Sequence, residues 1–190
     1  MMLTTGTMRG QHIYLSAIYE DDLPTLLPWH NDVDYGRYLS GGLSNFHTEK
    51  DLREWLLGED TPRYPRPMSI RRIDDGALIG TCSYKDVRWY ANNTMLWLGI
   101  GPATQRGQGY GTDALKVMLR YAFQEMNMNR VSLEVAEFNP AARRSYEKCG
   151  FQHEGTLRQH MYRDGRYWDM HIMAVLRDEW KAMQLGVDQG

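Results

Sequence analysis

The stretch Gln105-Arg-Gly-Gln-Gly-Tyr-Gly-Thr112 constrains this chain more than any other, because it sets glycines at 107, 109 and 111 between a β-like run and a strongly apolar helix. Glycines let the backbone turn successive N–H groups outward and let a ligand approach closely. With a helix N-terminus behind them, those groups make an anion site suited to a diphosphate. Arg106 adds a fixed positive charge at the entrance. Two familiar cradles do not fit. A P-loop needs Gly-Lys-Ser/Thr at the helix start, and here Gly-Tyr-Gly-Thr lacks the lysine. A dinucleotide fingerprint needs G-x-G-x-x-G inside a parallel βαβ unit, but the third glycine comes one residue early.

The elements around the loop follow from periodicity. His12–Ala17 alternates as a first strand, with Ile13, Leu15 and Ala17 on one side. Asp21 or Asp22 is placed to cap a helix with Pro24 in its first turn and Leu23, Leu26 and Leu27 inside. Residues 31–46 read as an irregular, mobile connection with glycines at 36, 41 and 42. Thr48-Glu-Lys-Asp51 resembles a capping box and opens a helix carrying Leu52, Trp55 and Leu56, which the proline-bearing segment 61–67 ends. Met68–Ile73 and Ala77–Tyr84 flank Asp74-Asp75-Gly76, and with Thr94–Gly101 they form an antiparallel meander. Ala114, Leu115, Met118, Leu119, Ala122, Phe123 and Met126 make the apolar stripe of the helix after the loop. Arg130–Ala136 is a short, mostly buried strand, Asn139-Pro140 starts a helix that stops at Gly150, and Gln152–Met161 with Tyr167–Leu176 closes the chain as a hairpin about Asp164-Gly165. The pattern predicts an α+β fold of about seven mostly antiparallel strands and about four helices, in one domain spanning 1–190.

Composition narrows the function. At 190 residues with 42 % hydrophobic and 24 % charged side chains, the chain is of ordinary globular type. No apolar run reaches the roughly 18 residues of a membrane span, and the N-terminal stretch has no signal-like apolar run, which predicts a cytoplasmic protein without a membrane partner. Two cysteines, Cys82 and Cys149, are too few for a disulfide framework or a structural zinc site, and the six histidines show no ligand spacing, so no metal is expected. The net charge of −2 hides an asymmetry: residues 19–60 carry ten acids and three bases, net −7, and the rest carries net +5. Either these are solvated faces, or one end meets cations and the other anions. No basic cluster suggests nucleic acid.

The loop also fits Q/R-x-x-G-x-G/A, the pyrophosphate loop of the GNAT acetyltransferases. Asn139-Pro-Ala-Ala-Arg-Arg-Ser-Tyr146-Glu-Lys-Cys-Gly150-Phe151 resembles that family's N-x-x-A…Y-x-K-x-G-F segment. Tyr121-Ala-Phe123, Asn129-Arg-Val131 and Asp164-Gly-Arg-Tyr-Trp-Asp169 are similar to residues of its ribosomal-protein N-terminal and spermidine acetyltransferase branch. The resemblance runs from about residue 9 to about residue 180. It implies acetyl-CoA wedged between two splayed strands, the fourth and fifth, here Thr94–Gly101 and Arg130–Ala136. The backbone of Leu98 and Ile100 would pair with the pantetheine. The N–H groups of Arg106, Gly107, Gln108, Gly109, Tyr110, Gly111 and Thr112 would hold the pyrophosphate, Asn139 would contact the pantetheine, and Lys148 would reach the phosphates. Many family members form homodimers, though no residue here specifies an interface.

In the implied reaction a primary amine attacks the thioester directly and CoA leaves as a thiolate. By position Tyr146 matches the family's general acid. A tyrosine near pKa 10 is a weaker acid than a thiol near 8.5, so full proton transfer would be uphill by roughly 2 kcal/mol. A hydrogen bond from its hydroxyl to the developing thiolate escapes that penalty. The strand before the loop, Met95-Leu-Trp97-Leu-Gly99, lacks the carboxylate many relatives carry there, leaving Glu134 or ordered waters to take the amine's proton. His171 is the outside candidate among the histidines, and Asp169 is expected to buttress the final hairpin. Trp29, Tyr35 and Tyr38, with the acids around them, would suit a cationic amine over the acceptor site. A polyamine, an amino acid, an antibiotic amine and a protein or peptide N-terminus all remain open as acceptor. The rival class is a non-catalytic CoA-binding sensor or scaffold.

Overall fold

The computed structural model describes residues 8–40, 46–58 and 65–187. The chain begins with β1 (Ile13–Ala17) and three helices, α1 (Leu23–His30), α2 (Val33–Ser40) and α3 (Glu49–Leu57). A meander follows, β2 (Met68–Arg72), β3 (Leu78–Arg88) and β4 (Asn93–Ile100), and then the longest helix, α4 (Tyr110–Gln124). The C-terminal part is β5 (Arg130–Ala136), α5 (Pro140–Lys148), the hairpin β6 (Gln152–Arg163) and β7 (Arg166–Leu176), and α6 (Arg177–Val187).

All strands join one seven-stranded sheet in the order β1-β2-β3-β4-β5-β7-β6. Every neighbouring pair is antiparallel except β4 and β5. That parallel pair is short. It joins Asn93 to Arg130, Thr94 to Val131 and Met95 to Ser132, and no further. The two strands expected to splay therefore do so, from Leu96 onward.

The two faces of β4 meet different layers. Leu96 and Leu98 pack toward α4, whose stripe of Ala114, Leu115, Met118, Leu119, Ala122 and Phe123 forms the main core with Ile70, Leu133 and Val175. Leu115, Met118 and Leu119 are essentially fully buried, each worth roughly 1.5–3 kcal/mol in transfer terms. On the other face Gly99 lies against Tyr35 and Leu39 of α2, and Trp97 stacks on Trp55 of α3. A satellite core of Ile18, Leu23, Leu26, Leu52 and Leu56 joins α1 to α3.

Among the described residues six α-helices stand where about four were expected. The first addition, α2, falls in the stretch read as irregular. Gly36 in its middle costs about 1 kcal/mol against alanine, and its anchor is a single buried ring, Tyr35, whose hydroxyl lies 3.2 Å from Thr81 Oγ1. The second, α6, is tied down by Trp180 against Phe123, ring centroids 5.3 Å apart. The cap expected from Asp22 is also different: its carboxylate accepts from Tyr19 N–H (2.8 Å) and binds Arg71 (2.5 Å) instead of an α1 amide. The Thr48–Asp51 capping box of α3 is formed as expected. Gly41, Gly42 and residues 61–64 of the proline-bearing segment lie outside the described residues.

Candidate active site

The glycine loop opens onto the split in the sheet. Gly107 and Gly109 take φ of +77° and +87°, left-handed conformations that suit glycine, and a Cβ on either would point into open space. Arg106 N–H is spent on the Ala103 carbonyl (3.2 Å) and Asp113 N–H on the Gly109 carbonyl (3.0 Å). Between them, the amides of residues 107–112 donate to no acceptor among the described residues. The loop thus holds a run of unspent donors at the positive end of a 15-residue helix.

From this loop a groove of about 620 Å³ runs to the gap between β4 and β5. Gly101 N–H reaches the Ile79 carbonyl in β3 (2.9 Å), so strand alternation turns the polar groups of Leu98 and Ile100 toward the gap, where no strand meets them. Both residues line the groove. So do Arg106, Gly107, Gly109, Gly111 and Thr112 from the loop, and Asn139, Tyr146 and Lys148 from the α5 side. Gln108 and Tyr110 do not: the Gln108 amide folds back on the Thr104 carbonyl, and the Tyr110 hydroxyl turns to Arg72. The Arg106 guanidinium is committed as well, donating through Nε to the Ile100 carbonyl (3.0 Å) and through Nη2 to the Gly101 carbonyl (2.7 Å). It straps the end of β4 to the loop. Gln105 Oε1, also in the groove, is buried without a hydrogen-bond donor among the described residues.

A second cavity of about 210 Å³ adjoins the groove. Tyr38, Leu39, Leu98, Asn139 and Tyr146 line both. Asn139 Oδ1 accepts from Ala142 N–H (3.2 Å), capping α5 and so fixing the helix that carries Tyr146. Tyr146 packs its ring near Phe151, with centroids 6.0 Å apart, and its hydroxyl has no protein partner among the described residues. Burial pushes that hydroxyl up to about 12. Glu134, from β5, lines the smaller cavity with Oε2 3.9 Å from Lys85 Nζ of β3.

The aromatic residues expected over the acceptor site separate. Tyr38 stands where both cavities meet, 5.9 Å below the Arg106 guanidinium. Tyr35 walls the groove but is only 2 % exposed, and burial pushes its hydroxyl up to about 12 even though Thr81 and Arg106 act the other way. Trp29 lines neither cavity, for its indole packs on Gly101. His171 lies outside both and bonds to Thr156 Oγ1 (3.2 Å). Asp169 accepts from Gln159 N–H (2.8 Å) and so buttresses the β6–β7 hairpin, as expected. Sequence reasoning missed Arg37, Trp55, Lys85 and Trp97, which line the smaller cavity. They come from α2, α3, β3 and β4, and no spacing along the chain unites them.

A sheet opened between two parallel strands, with unspent amides of a glycine-turned helix at its mouth, defines an acyltransferase built around a nucleotide thioester. The chain belongs to the GNAT acetyltransferase family: the family model described as an acetyltransferase (GNAT) domain matches residues 12–152. It is an acetyl-CoA-dependent N-acetyltransferase. Among its relatives, the SPbeta prophage-derived uncharacterized N-acetyltransferase YokL of Bacillus subtilis is 33 % identical over 178 residues, 90 % of this chain and 94 % of that one. The spermidine N(1)-acetyltransferase of Vibrio cholerae is 31 % identical over 103 residues, 54 % of this chain and 59 % of that one. The crystal structure of spermidine N-acetyltransferase from Vibrio cholerae in complex with CoA and spermine has the same fold, with a TM-score of 0.80 at 23 % identity, covering 89 % of this chain and 98 % of that one. Among the described residues no helix is long and apolar enough to cross a membrane, and no three His, Cys, Asp or Glu side chains gather as metal ligands.

Proposed function

We propose that the larger groove holds acetyl-CoA, that the smaller cavity holds a small primary amine, and that the acetyl group passes directly between them beside Tyr146. The observation that carries this reading is the sharing of Leu98, Asn139 and Tyr146 by both cavities. The groove suits the cofactor on its own terms. Unspent amides at 107–112 match a pyrophosphate, Lys148 and Arg144 add positive charge along the α5 side, and the orphaned Gln105 Oε1 accepts a donor. On β4, Leu98 N–H and C=O and Ile100 N–H pair with the pantetheine amides in strand fashion, while the Ile100 carbonyl stays with Arg106.

Acetyl-CoA supplies an activated acyl group and a thiolate leaving group. The amine nitrogen bonds to the acyl carbon, the carbon–sulfur bond breaks, and the nitrogen sheds one proton. Tyr146 donates a hydrogen bond to the departing sulfur. With its hydroxyl near 12, complete transfer of its proton to a thiolate near 8.5 is uphill by about 5 kcal/mol, so stabilisation by hydrogen bonding is its role. Glu134 holds the incoming ammonium, and its proton leaves to Glu134 or to water in the cavity mouth. A non-catalytic sensor would have no need of an unpartnered hydroxyl where the two cavities meet. The test is release of free thiol from acetyl-CoA across polyamines, amino acids, aminoglycosides and peptides with free N-termini. Saturable release with one class supports the reading. Silence across all of them, with acetyl-CoA binding intact by calorimetry, overturns it.

A further inference from the structure

The charges around the smaller cavity select among those acceptors. Among the described residues, the acids of the N-terminal third do not line it. Glu20 and Glu49 pair with Arg53, and Asp22 pairs with Arg71. Asp51 caps α3, and Asp32 holds the Asp34 amide (2.8 Å). None of them lines either cavity. Among the described residues, the charged ones that line the smaller cavity are Arg37, Lys85 and Glu134, two cations and one anion.

Their arrangement is specific. Lys85 Nζ and Glu134 Oε2 stand side by side at 3.9 Å, longer than a hydrogen-bonded ion pair. Arg37 is held from outside by a bidentate contact with Asp164 on the β6–β7 turn (3.0 and 3.1 Å), which leaves its buried Nε without an acceptor among the described residues. The remaining wall includes Trp55 and Trp97, stacked at 6.2 Å and 19°.

Resting on the acceptor role of this cavity, we propose that the substrate is a zwitterionic amine of α-amino-acid type. Its carboxylate binds Lys85 on the Arg37 side, and its ammonium binds Glu134. An apolar or aromatic side chain lies on the Trp55–Trp97 wall. A zwitterion set beside a loose ion pair satisfies both members with short charge-assisted bonds. A polyamine brings further positive charge beside Lys85 and Arg37, with Glu134 the one anion among the described lining residues to meet it, and has no carboxylate for Lys85.

The experiment is thiol release at saturating acetyl-CoA with apolar and aromatic L-amino acids, the amides of the same amino acids, the amines left by their decarboxylation, and spermidine. The best amino acid is expected to exceed its amide, its decarboxylated amine and spermidine at least tenfold in kcat/KM. Lys85→Gln is expected to raise KM for that amino acid about tenfold at unchanged acetyl-CoA affinity, and Lys85→Arg to restore most of it. Equal or faster turnover of spermidine or of the decarboxylated amine overturns the proposal and leaves the transferase standing. Silence with all four groups also overturns it, and the transferase reading falls with it only if aminoglycosides and peptides are silent too.

Discussion

The two halves of the cleft are made of different material. The half proposed for acetyl-CoA is largely backbone: glycine-loop amides, the edge of β4 that faces the gap and the α5 side. The half proposed for the acceptor is side chains: Arg37, Trp55, Lys85, Trp97 and Glu134, drawn from α2, α3 and three strands. Backbone recognition needs only a local conformation, so one short segment encodes it. A pocket of converging side chains can be rebuilt by changes at scattered positions without disturbing the loop. The difference predicts that substitutions in the loop act on acetyl-CoA affinity and substitutions around the smaller cavity act on turnover and acceptor choice.

The largest test of that division is Gly109→Val. A β-branched residue is badly strained at φ +87°, and its side chain would enter the space above the loop amides. Calorimetry should find acetyl-CoA bound at least about 100-fold more weakly, with the sheet intact by circular dichroism. Near-normal affinity would move the phosphates away from the loop. Next in size is Tyr146→Phe, where the two halves meet. It should lower kcat by about 10²-fold and change acetyl-CoA affinity less than about twofold. Because burial holds the Tyr146 hydroxyl near 12, its proton stays on through the working range, so no alkaline fall in rate below about pH 11 should trace to it. Equal activity in the Phe variant would remove Tyr146 from the chemistry.

The same contrast explains what was legible in the sequence. The loop, the stripe of α4, the α5 segment and the hairpins are local patterns, and each is present in the structure. The helix α2 escaped because it is only eight residues long, carries Gly36 at its centre and runs toward Gly41 and Gly42, so turn-type residues outweighed an apolar face that is in fact present. The acidic third suggested a cation-facing surface because composition cannot show that Glu20 and Glu49 meet Arg53 or that Asp22 meets Arg71. The family resemblance implies that the segment carrying Trp29 lies over the acceptor site, yet the missing side chain of Gly101 gives its indole a place against the backbone. Lys85 and Glu134, on β3 and β5, become neighbours only when β4 comes between those strands in the sheet.

A smaller effect separates charge from backbone within the cofactor half. Arg106→Met removes two charge-assisted hydrogen bonds to the Ile100 and Gly101 carbonyls. Denaturant unfolding should register a loss of about 2 kcal/mol. Acetyl-CoA affinity should weaken less than about threefold, since the loop amides remain. A tenfold loss of affinity at unchanged stability would instead assign the guanidinium to the phosphates.

The smallest effect concerns the aromatic layer behind the acceptor cavity. His30, 8 % exposed, packs edge-on against Tyr35 and Trp55 at 5.5 and 5.3 Å. Burial, and then the nearby His47, lower its pKa from 6.5 to about 4, and its Nε2 is buried without a partner among the described residues. The unfolded chain takes up this proton near pH 6.5 and the folded one only near 4. Stability from a neutral His30 is therefore complete above pH 6.5 and is withdrawn as the pH falls toward 4, by about 1 kcal/mol between 6.5 and 5.5. His30→Phe keeps a ring in the layer and removes both the titration and the orphaned nitrogen. Its stability should match the parent at pH 7, and the parent's loss between pH 6.5 and 5.5 should shrink by about 1 kcal/mol. An unchanged acid slope in the variant would assign that sensitivity to other groups. A reduced slope, with acetyl-CoA affinity flat over the same range, would confine the sensitivity to the side-chain half of the cleft.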